Sequence, residues 1–503
     1  MRIKVECTNA SQVDCDLLVV NLFDGVKKPG GATGAIDNAL GGLITELIAA
    51  KEISGKLGKV TTIHSLGKLK AKRVLVVGLG KSKDFDLDKS RIASAAAIKE
   101  AKKVKAKKVA TIVHGAGVGG LEAKEASRAV VEGSILGAYE FKGYAEEREE
   151  PIFEVDELII VEYVPQKIKE IEEGAKVGEI ISFATNRARD LVNTPANKKT
   201  PAMLSKYAED LAKETGIKCE ILSLKDIEKM GMDAFLSVAK GSKEEAKMVV
   251  LKYEEASKAK KKEIIGLIGK GITFDSGGIS IKTGKDLSSM FQDMAGAATV
   301  FEAMRAASEL KLKVNLIGIT PLTENMPDGA AYKPGDVIGS LSGKTTEVIS
   351  TDAEGRMVLA DAITYAKNLG ATHIIDIATL TGACIIALGD IASGIMGNNQ
   401  DLIGNILKAS SSAGEKMHQF PLYEEAKEYI KSPKADMKNC NDNRKAGTIV
   451  GGLYLQNFVE DTPWLHIDIA GTAYLDREIG YLGKGGTGAG VRTLVSFFMN
   501  KSD

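Results

Sequence analysis

The chain has 503 residues, enough for two or three domains with large cores. Hydrophobic residues make up 44% and charged residues 27%, ordinary values for a soluble globular protein. The 67 Lys+Arg balance 67 Asp+Glu, which argues against nucleic acid or an anionic membrane as the main partner.

The five cysteines (Cys7, Cys15, Cys219, Cys384, Cys440) are scattered, odd in number and form no C-x-x-C pair. That pattern fits reduced thiols better than a disulfide framework or a zinc ribbon. Residues 1–6 open like a strand, and Glu6 and Asp14 interrupt any apolar leader. The most apolar long segment, 374–389, contains Asp376 and is short of a membrane span. It is expected to form buried strands of a parallel sheet. A soluble, cytoplasmic protein is expected.

Residues 1–165 alternate strand and helix: strands at 17–21, 74–78, 109–113 and 158–164, helices at 90–104 and 123–141. Residues 115–120 satisfy G-x-G-x-x-G between a strand and a helix. The acidic residue a dinucleotide site needs falls at Glu140, at a helix end, so a tight strand-to-helix turn is the better reading. Six lysines against one glutamate at 99–108 read as a solvated helix end. DNA binding through Lys102, Lys103, Lys105, Lys107 and Lys108 is the weaker alternative, since few aromatics lie nearby. Residues 166–192 read as one long connecting helix with an apolar stripe, stopped by Asn193-Thr194-Pro195.

From 193 onward the alternation resumes. Helices are expected at 201–215, 289–309, 356–369, 400–411 and 447–458. Strands are expected at 217–222, 247–252, 263–268, 313–319, 345–350, 373–378 and 464–469. Their apolar runs are continuous, as in a sheet covered on both faces. The fold class is α/β in two domains. The smaller N-terminal α/β domain spans 1–165. The larger catalytic one, 193–503, is built on a mixed, mostly parallel central sheet covered by helices on both faces.

The chemistry concentrates in two stretches. Residues 266–282 set Lys270, Asp275 and Lys282 among four glycines just past an apolar strand. About 80 residues later comes Asp352-Ala353-Glu354, whose carboxylates would face one point if the segment is extended. Asp293 is expected in the helix between them, and the small residues after it would let that helix approach closely. Two charges about 4 Å apart cost about 4 kcal/mol at an effective dielectric of about 20. Four gathered carboxylates therefore call for cations. Two divalent ions would balance them, with Lys270 serving as a neutral amine ligand and Lys282 and Arg356 left charged for a substrate. The alternative is an ordinary ion-pair network. The five histidines are dispersed, and a His-free carboxylate site suits Mn2+ or Mg2+, with Zn2+ also compatible. No G-x-S-x-G elbow exists, and no cysteine neighbours a histidine in sequence. A phosphoesterase would be a second kind of two-metal hydrolase.

Ser350-Thr351-Asp352-Ala353-Glu354-Gly355-Arg356 resembles the Asn-Thr-Asp-Ala-Glu-Gly-Arg signature of the leucine aminopeptidases, also called leucyl or cytosol aminopeptidases. Residues 269–278, Lys282, Gln292-Asp293-Met294-Ala295-Gly296 and His466-Ile467-Asp468-Ile469-Ala470-Gly471 are similar to the same family. The resemblance runs from about 193 to the end, and the N-terminal region agrees with the family's macro-like domain. It implies a metalloprotease that releases unsubstituted N-terminal residues, leucine and similar apolar ones above all, in peptide and protein turnover. Lys270, Asp275, Asp293 and Glu354 would hold one metal ion, and Asp275, Asp352 and Glu354 the other. The ions would be Mn2+ or Zn2+, with Mg2+ a further candidate at one site. Lys282 would polarise the scissile carbonyl. Arg356 would anchor a bicarbonate that serves as general base. Met290, Thr379, Gly382, Ala470 and Ala473 would line the pocket for the first side chain. A homohexamer, a dimer of trimers, is also implied. Two departures stand out: Ser350 replaces the signature Asn, and Ala473 is smaller than the Met of some relatives.

Overall fold

The computed structural model describes residues 1–117, 119–145, 151–256, 262–441, 443 and 445–502. Two compact units form. One is Met1–Phe183 with Arg477–Gly483; the other is Ala184–Asp476 with Lys484–Asp503.

The first unit is built on six strands in the spatial order Arg2–Cys7, Glu157–Glu162, Lys108–Ile112, Leu17–Leu22, Arg73–Gly78 and Val60–His64. All neighbours run parallel except the edge strand Val60–His64. Alternate side chains of Leu17–Leu22 enter two different cores. Leu17 and Val19 pack with Val109 and Leu158, Leu18 and Val20 with Val74 and Ile159. A strand buried on both faces needs an unbroken apolar run, which is what the sequence has there. The short segment Arg477–Gly483 also joins this unit. Tyr481 is buried against Ala95 and Leu136, and its hydroxyl donates to Asp88 at 2.8 Å. The glycine loop read against a dinucleotide site includes Val118, which lies outside the described residues.

The second unit carries a nine-stranded sheet. In spatial order its main path runs Met417–Gln419, Ser393–Gly397, Trp464–Asp468, His373–Ala378, Ile265–Gly269, Asn315–Asn325, Lys247–Glu254 and Lys218–Leu222. Gly271–Asp275 pairs with the far end of Asn315–Asn325. Trp464–Asp468, His373–Ala378, Ile265–Gly269 and Asn315–Asn325 are mutually parallel, and antiparallel strands flank them. In this parallel centre Asp376 lies opposite His466. Its carboxylate takes the Trp464 indole N–H at 2.6 Å and lies 2.5 Å from His466 Nδ1. Burial would discharge the imidazole, but the Asp376 carboxylate outweighs it and raises the pKa of His466. Pairing of this kind is what lets an acid sit in a fully buried strand.

The long helix is Ile168–Asn193. Ile171 and Ala175 pack with Ala126 and Val131 of the first unit. Further along, Arg189 donates to the Gly486 carbonyl at 2.9 Å in the second.

Three elements differ from expectation. Of residues 374–389 only the first part is strand; Gly382–Leu388 is a helix capped by Thr381, with Ile385 and Ile386 exposed. An apolar run does not by itself tell strand from helix, and the Thr-Gly cap decides it. The helix expected at 289–309 begins at Ala295, after a separate turn Met290–Gln292, so Asp293 lies between the two and not in the helix. The strand at 345–350 shrinks to Thr346–Glu347, in a small three-stranded sheet with Val337–Ile338 and Met437–Lys438. Among the described residues no helix is long and apolar enough to cross a membrane.

His114, in the first unit, generates a prediction about acid stability. It is wholly buried; the Asn21 amide lies 3.2 Å from its Nδ1 and the Thr111 hydroxyl 3.4 Å from its Nε2. Burial pushes its pKa down from 6.5 to about 4. Between those values the unfolded chain binds a proton that the native chain does not, so stability falls as the pH drops through that window, by about 3 kcal/mol in all. Thermal unfolding of His114→Asn followed from pH 7.5 to 4 should show a shallower loss than the parent. Parallel curves would contradict the assignment.

Candidate metal centre and active site

The parallel strands of the second unit all point their carboxyl ends at one edge. Lys270 follows Ile265–Gly269, Thr379 follows His373–Ala378, and Ala470 lies just beyond Trp464–Asp468. Sites in α/β sheets form outside such ends. The helix Ala295–Glu309 reaches this edge because Gly296 lacks a side chain: a Cβ there would lie 2.1 Å from the Ile377 carbonyl oxygen. Asp293, one residue before that helix's cap, is thereby brought to Lys270.

Asp275, Asp293 and Glu354 form a buried acidic group, with one oxygen from each within 4.8 Å of the others. The Lys270 ammonium sits among them, 2.9 Å from Asp293 and 2.7 Å from Glu354, and donates to the Thr379 carbonyl at 2.8 Å. Burial alone would lower the Lys270 pKa, but Asp293, Glu354 and Asp275 outweigh it and hold the ammonium charged. Lys282 is likewise engaged, 2.8 Å from Asp275 Oδ2 and in contact with Asp352 Oδ1. Its pKa is raised in the same way, with the carboxylates prevailing over burial. The neutral amine expected of Lys270 and the free ammonium expected of Lys282 belong to the ion-bound site. In this structure each ammonium is paired with two of the four carboxylates.

They do not suffice. Burial, then the neighbouring carboxylates, raise the pKa of Asp293 and of Asp352. Asp293 Oδ2 and Glu354 Oε2 are buried without a hydrogen-bond partner among the described residues. Unsatisfied buried carboxylate oxygens beside a cluster still short of positive charge are what a divalent cation would complete. The donor set fits such an ion.

Asp352 behaves differently from the other three acids. Its side chain is 37% exposed, against 2% for Glu354. The two are not paired on an extended strand as expected. Thr351 and Asp352 lie in a turn, Ala353 caps the helix Glu354–Asn368, and Glu354 is its first residue. Ser350 accepts from the Asp352 amide through its hydroxyl at 3.2 Å, so the residue that departs from the signature stabilises this turn.

Several supporting residues carried no role in the sequence reading. Thr351 joins the two halves of the site: its hydroxyl donates to the Gly277 carbonyl at 2.6 Å and accepts from the Ser280 amide at 2.8 Å. The turn it grips needs positive φ at Gly277 and Gly278, 88° and 62°. Asn325 donates to Asp275 Oδ1 at 2.8 Å and to the Thr351 carbonyl at 3.0 Å. The Gly277 amide also donates to Asp275 Oδ1, at 2.9 Å. One oxygen of Asp275 is thus fixed and the other faces Lys282. Thr351 lies within the signature and could have been singled out; nothing local marks Asn325.

Arg356 is buried, donates through Nη1 to the Asn439 carbonyl at 2.7 Å, and its Nε has no partner among the described residues. Burial lowers its pKa. Of the residues expected to line the pocket, Thr379 donates its hydroxyl to Asp293 at 2.7 Å, and Met290 lies in the turn just before that acid. The Asp468 carboxylate accepts from Leu380 and Ala470 amides and the Thr381 hydroxyl, which gathers Thr379–Gly382 and Ala470 round one acid. Gly382 is exposed and Ala473 buried. The lysine-rich stretch of the first unit is partly paired: Lys102 with Glu140, Lys103 with Glu100, Lys107 with Asp156.

Metal-free protein offers a direct check. Asp293→Asn keeps the shape and removes a carboxylate that burial already disfavours in its charged form. Its metal-free Tm should equal or exceed the parent's, while the rise in Tm that Mn2+ gives the parent should be lost. A full Mn2+ shift in the variant would remove Asp293 from the ligand set.

Comparison with known proteins gives a consistent relationship. The model for the cytosol aminopeptidase family, catalytic domain, matches residues 186–495, and that for the family's N-terminal domain matches residues 19–148. A protein named "Probable cytosol aminopeptidase" from Alkaliphilus metalliredigens is 43% identical over 497 residues, 98% of either chain. One so named from Geobacter sp. (strain M21) is 41% identical over 502 residues, covering all of both. Among solved structures, the bottromycin maturation enzyme BotP in complex with Mn superposes with a TM-score of 0.85 at 33% identity, over 97% of this chain and 100% of that one.

Proposed function

Because the chain belongs to the cytosol aminopeptidase family, and is therefore a peptide hydrolase acting at N-termini, we propose that it is a two-metal leucyl aminopeptidase. The observation that carries this reading is the buried group of Asp275, Asp293 and Glu354, with orphaned oxygens on the last two, around Lys270. Lys270, Asp275, Asp293 and Glu354 would hold one divalent ion, and Asp275, Asp352 and Glu354 would hold the second. When bound, such a pair supplies a nucleophile at neutral pH and stabilises developing charge.

The chain's own groups do the rest. To serve as a ligand Lys270 would have to lose its proton to solvent, so metal affinity should rise with pH. Lys282 gives up its bridge between Asp275 and Asp352 and turns its ammonium to the scissile carbonyl. Arg356, whose buried Nε has no partner among the described residues, would anchor a bicarbonate, which would supply a general base. Met290, Thr379, Gly382, Ala470 and Ala473 receive the first side chain; their small or apolar character favours leucine and methionine. The Mn-bound state named for BotP makes Mn2+ the first ion to try, with Zn2+ and Mg2+ next. The five free thiols fit a reducing, cytoplasmic setting, and the assembly we infer is a homohexamer built as a dimer of trimers.

Reconstituted with Mn2+, the protein should release p-nitroaniline from leucine p-nitroanilide and leave N-acetylated leucine p-nitroanilide and p-nitrophenyl phosphate untouched. Asp352→Ala and Glu354→Ala should each abolish this activity; full activity in either would sink the assignment. Lys282→Ala should lower kcat about 100-fold or more with metal content unchanged, the scale of losing one oxyanion donor. Loss of metal in that variant would instead make Lys282 a structural counter-ion.

A further inference from the structure

Lys199 is a buried amine with no carboxylate partner among the described residues. It is 0% exposed, and its Nζ donates to two carbonyls, those of Val192 at 3.2 Å and Phe291 at 2.6 Å. The ammonium also lies 5.5 Å from the centroid of the Phe291 ring. Burial pushes its pKa down to about 7. Desolvating a lysine against two carbonyls and a ring, its partners among the described residues, is costly. A core position with no further task would be filled as well by an apolar side chain of the same length.

What the lysine joins gives it a task. Val192 lies in the last turn of the helix Ile168–Asn193, where carbonyls lack helical partners. Phe291 is the middle residue of the turn Met290–Gln292, with Asp293 as its cap. A three-residue turn has little intrinsic stability and takes its position from what holds it. Here the Phe291 ring meets Tyr474 edge-on at 5.8 Å, Thr379 grips Asp293 from the sheet edge, and Lys199 holds the backbone between them.

We propose that Lys199 is a positioning residue for the metal centre: by clamping the Phe291 carbonyl to the end of the long helix it fixes the turn that presents Asp293 to the ions and Met290 to the substrate. The proposal rests on the functional reading above, in which Asp293 is a ligand and Met290 lines the pocket. A positioning role of this kind acts through geometry, where a shift of about 1 Å is enough to weaken a site.

The test is Lys199→Met, which keeps the length and apolar stem and removes the donors. Calorimetric titration of metal-free protein with Mn2+ should give one equivalent bound at least 10-fold more weakly than in the parent and the other unchanged. KM for leucine p-nitroanilide should rise severalfold. Phe498→Leu, a buried lesion with no tie to the turn, should leave both Mn2+ affinities at parental values even if its Tm falls as far. Both Mn2+ equivalents bound normally by Lys199→Met would overturn the proposal and leave the functional reading intact. A parent that binds no Mn2+ would overturn the functional reading and this role with it. If Lys199→Met does not fold, Lys199→Gln retains amide N–H donors on a shorter stem and should show a smaller weakening in the same direction. Normal affinities there, or failure of both variants to fold, would make the lysine a requirement of the core and overturn the assignment to the turn.

Discussion

Three buried carboxylates and a fourth, partly exposed one cannot be gathered unless positive charge is brought in with them. This constraint organises the second unit. Two lysines meet part of it, Lys270 between Asp293 and Glu354 and Lys282 between Asp275 and Asp352. The part left unmet is visible in the raised pKa values of Asp293 and Asp352 and in two carboxylate oxygens with no partner among the described residues. A cluster tuned purely for stability would use fewer acids or more bases, since a buried acid without its counter-charge destabilises the fold. The deficit is what the proposed cation site would need, since gathered acids gain their balance from a bound divalent ion.

Bringing the acids together is the work of the sheet and of small residues. The parallel strands deliver Lys270, Thr379 and Ala470 to one edge, and the glycine at 296 lets a helix close on that edge until its preceding residue, Asp293, meets Lys270. Thr351 and Asn325 then bind the loop after Gly271–Asp275 to the turn before Glu354–Asn368. These bonds are backbone-directed, so they hold the geometry without competing for the carboxylate oxygens that face inward. Asp275 is the exception, with Oδ1 committed to Asn325 and Gly277, and this commitment orients its second oxygen.

Much of this architecture is legible in the residues alone, because burial on both faces imposes continuous apolar runs and because glycine-bracketed charges rarely serve a core. The strands at 17–21, 74–78, 263–268 and 373–378 follow from the first rule, and the two halves of the site from the second. The misreadings share a cause. In residues 374–389 hydrophobicity is high in both the strand and the helix that follows, so composition could not locate the change. Asp293 lies between a turn and a helix that share one apolar pattern. Asp352 and Glu354 come from a turn and a helix start, and the period-two rule holds only for extended chain.

The sequence by itself determined the class of the fold, the identity of the charged residues and their grouping into two stretches about 80 residues apart, because these depend on local composition and order. The tertiary structure alone decided who pairs with whom. It made Lys270 a buried ammonium between two acids and Lys282 a bridge. It left Asp352 more open to solvent than its neighbours, and gave Asn325 and Lys199 their partners across the fold. Charge state and orientation depend on distances of a few ångströms between residues far apart in the chain, and no local pattern encodes those distances.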